Sequence, residues 1–214
     1  MSRVQLAPFV YLALLILTSC TYSEERLRVS IDNAVANPNS HVFAVAVNHK
    51  RVQEPSGLIN TFPNGGVLRI IEQKARIYIA DAHLRTINLA AEIDNFGGIP
   101  NPTQVWVKGW LDGSVYFSLI GYEGDSWSGI DARDVVKVHY RVNGEGTLEQ
   151  IDDLPGELVS ARNSGPLGQP PFLRMSTGHT SIEVGIDGHP RNSARTARLW
   201  LDEATGQPAF SFAN

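Results

Sequence analysis

Cysteine is almost missing from this chain. A single one, Cys20, stands among 214 residues, which excludes an internal disulfide framework. Long apolar runs are missing too. The longest covers residues 9–17, nine positions, against the roughly 20 that a membrane-spanning helix needs. Positive charge is scarce and dispersed: 18 Lys and Arg against 22 Asp and Glu give a net charge of −4. Arg51, Arg69, Lys74, Arg76, Arg85, Arg191, Arg195 and Arg198 sit between apolar residues and form no block. Nucleic-acid binding, which needs massed cations to displace counterions, is therefore excluded as an expectation.

Catalytic signatures are equally sparse. Gly-x-Ser-x-Gly and Ser-x-x-Lys do not occur, and Gly97-Gly98 and the 121–124 glycine pair lack the strand-then-helix context of a phosphate loop. The six histidines (His41, His49, His83, His139, His179, His189) never approach zinc-ligand spacing. Asp125, Asp131 and Asp134 do not follow the spacing of a calcium loop. Asp81 and His83, two apart at a strand end, share a face and are compatible with a metal or an acid–base pair, but read best as a solvated strand end. No catalytic residue, metal or cofactor is assigned.

What the chain does have begins at its N-terminus. Arg3 supplies a short positive region, residues 9–17 an apolar stretch, and Leu17-Thr18-Ser19-Cys20 closes it. This order resembles the lipobox of bacterial lipoproteins: an aliphatic residue, two small residues, then the cysteine that carries the lipid. The resemblance covers about the first 20 residues. It implies that 1–19 are a signal peptide, that Cys20 is lipidated, and that the protein is anchored to a membrane of the cell envelope. In such lipoproteins Asp after the cysteine favours the inner membrane. Thr21 stands there instead, which implies the outer membrane, facing the periplasm. Loss of 1–19 removes Arg3 and no acid, leaving 17 positives against 22 negatives, a charge near −5.

Residues 20–40 are polar and read as lipidated terminus and tether, although 27–31 alternates like a first strand. From 41 to 214 a single β domain is expected. Short β-like runs succeed one another at 41–47, 67–71, 75–82, 86–93, 104–111, 115–122, 135–142, 147–151, 172–175, 181–186, 197–202 and 208–212. Asn64-Gly65, Asp112-Gly113, Asn143-Gly144 and Asp187-Gly188 are hairpin-turn dipeptides, and Ala204-Thr205-Gly206 offers a longer glycine turn. The runs starting at 75, 135 and 196 lie about 60 residues apart, each with room for two strands before it and one after. The expected fold is all-β, with antiparallel four-stranded units in series, propeller-like or trefoil-like, and a β-sandwich as the alternative. A partial propeller would leave a face for a second copy, hence a possible homo-oligomer.

The segment 105–134 concentrates aromatics beside charges. Trp106 and Trp110 have the same parity and are expected on one face, with Tyr116 nearby across the turn. Trp127 sits in a loop-like stretch where strand packing gives it no role. With Tyr122, Asp125, Asp131 and Arg133 it forms the candidate ligand-binding set, since a flat apolar ring beside fixed polar partners suits a glycan or peptide. The proline- and glycine-rich stretch 162–171 reads as a linker. The functional expectation is a membrane-anchored, non-enzymatic binding or assembly domain with an envelope protein or glycan as partner. The alternative is a carbohydrate-binding or carbohydrate-active envelope protein.

Overall fold

The computed structural model describes residues 23–55, 68–100, 102–123, 135–159, 172–185, 196–202 and 204–212. Among the described residues twelve strands carry nearly all of the regular structure: β1 (Ser23–Ala36), β2 (Val42–Pro55), β3 (Arg69–Asp81), β4 (Thr86–Asp94), β5 (Gln104–Leu111), β6 (Ser114–Tyr122), β7 (Val135–Val142), β8 (Leu148–Ile151), β9 (Phe172–Met175), β10 (Ser181–Gly185), β11 (Thr196–Leu201) and β12 (Pro208–Phe212). They form three antiparallel sheets of four, each with its strands in chain order: sheet A (β1–β4), sheet B (β5–β8) and sheet C (β9–β12). The protein is all-β with four-stranded units in series, and the runs spaced about 60 residues apart are β3, β7 and β11, the third strand of each sheet.

The strands pass through two compact units. Among the described residues, 23–28, 50–55 and 68–72 belong to the first. It is laced by charge: Arg28 pairs with Glu54, Arg26 with Glu24 at 2.9 Å, and Arg51 with Glu72 at 3.3 Å. These pairs are exposed and contribute little each. The second unit holds everything from 29 to 49 and from 73 onward.

Within the second unit sheet A is covered on both faces. Val35, Ala44, Ala46, Ala75, Ile77 and Ala91 pack with Val105, Val107, Trp110, Phe117, Leu119 and Tyr140 of sheet B. Phe43, Val45, Val47, Tyr78 and Ala80 pack instead with Leu173, Ile182, Val184, Ala197, Leu199 and Leu201 of sheet C. Alternate residues of β2 thus go to opposite sheets, which is why residues 43–47 are apolar without interruption. Sheets B and C each keep one face turned away from this core.

β1 departs from the tether expectation. The chain is strand from Ser23, and Ile31, Val35 and Ala36 are buried. Its polar residues are what hid it. Asp32 Oδ2 accepts the Val105 N–H at 2.7 Å, and Asn33 Oδ1 accepts the Val107 N–H at 2.9 Å. Asn33 Nδ2 donates to the Val107 carbonyl at 2.9 Å. These two side chains stand in for a neighbouring strand along the outer edge of β5. Val159 continues the cover, exchanging backbone hydrogen bonds of 2.9 and 3.0 Å with Trp110. An otherwise open sheet edge is closed.

Two other expectations are corrected in detail. The runs 67–71 and 75–82 are one strand, β3, and 41–47 continues to Pro55 as β2. Asp112-Gly113 is a two-residue turn with both residues at positive φ (48° and 75°), as its dipeptide predicts. Asn143-Gly144 is not: Asn143 Oδ1 accepts the N–H groups of Glu145 and Thr147, and Gly146 takes the positive φ. The Asn side chain itself builds a longer turn. Asn64-Gly65, Asp187-Gly188 and the 162–171 stretch lie outside the described residues.

The link from sheet A to sheet B is a left-handed turn. Asn95, Phe96, Gly97 and Gly98 all have φ between 48° and 80°, and Phe96 is fully buried in the core. A phenylalanine tolerates this conformation only because its ring is locked among packed neighbours.

Candidate functional site

Most residues of the sequence-derived set, Asp125, Trp127, Asp131 and Arg133, lie outside the described residues, as does Cys20. Tyr122 is described. It ends β6, half-buried, opposite Val135, and its N–H donates to the Pro100 carbonyl at 3.1 Å.

Trp106 and Trp110 do not share a face. The register of β5 on β6 shifts between Val107 and Gly109, so Trp106 stands opposite Ser118 and Trp110 opposite Val115. A β-bulge adds one residue and reverses side-chain parity beyond it. Trp110 is 4% exposed in the core, where its Nε1–H donates to the Val35 carbonyl at 3.3 Å. Trp106 faces away from the core. Gly109 is required at the bulge, because a Cβ there would meet the Val159 carbonyl oxygen at 2.8 Å.

The outward face of sheet B carries one row of Trp106, Ser118, His139 and Ile151 across four strands. Lys108 Nζ lies 5.6 Å from the centre of the Trp106 ring, a cation–π arrangement. Ser118 Oγ is 2.8 Å from His139 Nδ1. Burial, and then the charge of Lys108, push the His139 pKa below its ordinary value, while Asp153 opposes them. The residue types are those of an acyl-transfer triad. The geometry is not: Ser118 has no exposed surface, and a nucleophile must meet its substrate. Ser118 is a cross-strand partner that fixes the imidazole.

Asp81 and His83 resolve as a turn. Asp81 Oδ1 accepts the N–H of His83 at 2.8 Å and of Leu84 at 2.9 Å, and the His83 ring stacks on His41 with centroids 5.7 Å apart. Among the described residues no three His, Cys, Asp or Glu side chains converge as metal ligands would.

The outward face of sheet C holds a groove of about 400 Å³ that the sequence reading missed. Thr180, Ser181, Arg198, Trp200, Leu201 and Ser211 line it. Strand parity explains its chemistry. Ala197, Leu199 and Leu201 turn into the core, so Arg198 and Trp200 turn out. Opposite Trp200 stand two small residues, Ser181 on β10 and Ala209 on β12, and the hollow follows from that difference in size. Arg198 Nη2 donates to Ser181 Oγ at 3.0 Å, and Ser181 is only 3% exposed. The guanidinium is thereby held in place along the groove while Arg198 stays exposed. The signal was present in residues 197–201, where a tryptophan occupies the face that alternation assigns to polar residues.

The turn after β11 is tightly built. Asp202 Oδ1 accepts the Thr205 hydroxyl and N–H, each at 2.8 Å, and the Ala204 N–H at 3.1 Å. These bonds, the Thr205 hydroxyl first, hold the Asp202 pKa below the usual carboxylate range. Gly206 (φ 67°) closes the turn against β1 and β2, where an added Cβ would meet His49 Cδ2 at 2.8 Å.

No family model, curated protein or solved structure matches this chain.

Proposed function

We propose that this protein is an exported lipoprotein, held to the outer membrane by lipid on Cys20, whose β body is a non-enzymatic binding module. The binding part of the reading rests on one observation: the sheet C groove, where an outward tryptophan and a hydrogen-bonded arginine meet hydroxyl groups. Small-ligand sites combine concavity, an aromatic wall and a few fixed polar groups in this way, and their volumes begin near 300 Å³. The anchor rests on Leu17-Thr18-Ser19-Cys20 and the apolar stretch before it.

Both parts have direct tests. A Cys20→Ala variant should accumulate as an unprocessed precursor, and normal processing would contradict the anchor. For binding, the full-length protein in detergent should be retained on an immobilised cell-envelope fraction. Trp200→Ala should weaken retention about tenfold or more, the effect of losing 1.4 kcal/mol, whereas Trp106→Ala should leave it unchanged. Retention indifferent to Trp200 would refute the groove as the binding face.

A glycan is favoured over a protein as ligand by the character of the groove. The side chains that face it from the described residues are hydroxyl, guanidinium and indole, since the Leu201 side chain turns into the core.

A further inference from the structure

The groove can be assigned a ligand class, an assignment that rests on the binding reading above. We infer that it takes an anionic saccharide, with a sugar ring against the Trp200 indole and a carboxylate on the Arg198 guanidinium.

The position of the groove within sheet C narrows the kind of ligand first. Trp200 and Arg198 lie on β11 and Ser181 on β10, the two inner strands of the sheet. Residues 181–185 of β10 pair with 196–200 of β11, and 197–201 of β11 pair with 208–212 of β12. The backbone groups of β11 beneath Trp200 and Arg198 are therefore committed to the sheet. A peptide that binds by adding a strand needs an open edge, and there is none beneath Trp200. At Trp200 and Arg198 recognition runs through side chains. A saccharide suits that condition: it offers a ring face to an aromatic surface and hydroxyls to polar side chains. Thr180 and Ser211 supply hydroxyls that both donate and accept.

The charge follows from the row next to Trp200. Arg174, Glu183, Arg198 and Ser211 stand opposite one another across all four strands of sheet C. Among the described residues the row carries two cations and one anion, a net positive charge that an anionic ligand would meet. Arg198 is the member that lines the groove. One of its five N–H donors goes to Ser181, which orients the planar head. A planar fork matches the two oxygens of a carboxylate, whereas an ammonium in its place would offer only a point charge.

Titration calorimetry on the full-length protein in detergent tests the assignment. The probes are an oligogalacturonate, a neutral maltooligosaccharide of equal length, and tetraglutamate. The oligogalacturonate should bind about tenfold more tightly than the neutral sugar. Arg198→Gln should remove that preference, and Arg198→Lys should restore only part of it. Trp200→Ala should abolish binding of both sugars, with Trp200→Phe retaining some. Unchanged thermal melting of each variant separates loss of binding from loss of fold. Equal affinity for neutral and uronate sugars would overturn the assignment of charge. Tetraglutamate binding as tightly as the uronate would overturn the assignment of a sugar. If no probe binds while Trp200-dependent retention on the envelope fraction persists, the ligand class is refuted and the groove reading stands. If that retention is also indifferent to Trp200, both are refuted.

Discussion

Single residues carry unusual loads where the backbone is left-handed or the core is closed by one ring. Phe96 is fully buried with φ at 49°, and its neighbours on both sides also have positive φ. The ring's packing offsets the conformational cost. Phe96→Ala should lower unfolding free energy by about 3–5 kcal/mol, the usual cost of emptying such a site, measurable by urea denaturation. Gly206 bears the same constraint without a side chain. Gly206→Ala adds a left-handed cost of about 1–2 kcal/mol and a contact with His49 that cannot be accommodated in place. A melting temperature equal to that of the wild type would contradict this packing of the β11–β12 turn.

His139 gives a residue-scale prediction in pH. Its pKa is depressed in the folded state, chiefly by burial, so the unfolded chain binds the proton first. Stability from this group is fully present above the ordinary value near 6.5 and is lost as pH falls through it, until the folded state also protonates. His139→Gln should therefore flatten the decline in stability as pH falls below the ordinary histidine value near 6.5. A variant that declines as steeply as the wild type would contradict it. Arg198 and Trp200 show the complementary lesson. Their types were visible in the sequence, but their roles depend on Ser181 and Ala209 being small on the strands alongside.

Elements were legible where one local signal dominated. The strands from β4 onward match the alternating runs closely, because turn residues bound them and apolar positions recur at period 2. Where a second constraint entered, the pattern misled. Beyond the alternating 27–31, β1 reads as tether because a polar Asn33 takes the inward position between Ile31 and Val35, where it bonds the β5 edge. Trp106 and Trp110 read as one face because a bulge leaves no mark in composition beyond Gly109, a glycine also consistent with ordinary strand. The edge function has a test. Asn33→Ala removes both hydrogen bonds to Val107, and each buried backbone group so exposed costs about 1–3 kcal/mol. Hydrogen exchange should then accelerate at Val107 while Val105, whose N–H is bonded to Asp32, and β6 keep their protection. Unaltered exchange at Val107 would show that the Asn33 side chain does not close that edge.

At the scale of the whole molecule, sheet A serves as the shared core of the second unit, and sheets B and C each present an outward face. The three-unit organisation was legible from the spacing of β3, β7 and β11, but not the order of stacking, which depends on which alternate residues of β2 meet which sheet. The two outward faces differ. That of sheet B carries a half-buried tryptophan beside lysine and a serine-bound histidine. That of sheet C carries the groove. On the proposed reading ligand meets sheet C. Amide chemical-shift mapping of the isotope-labelled protein during titration with oligogalacturonate tests it most directly. Shifts confined to Thr180, Ser181, Arg198, Trp200, Ser211 and their neighbours are predicted. Shifts clustered around Trp106 and His139, or none at saturating sugar, would contradict it.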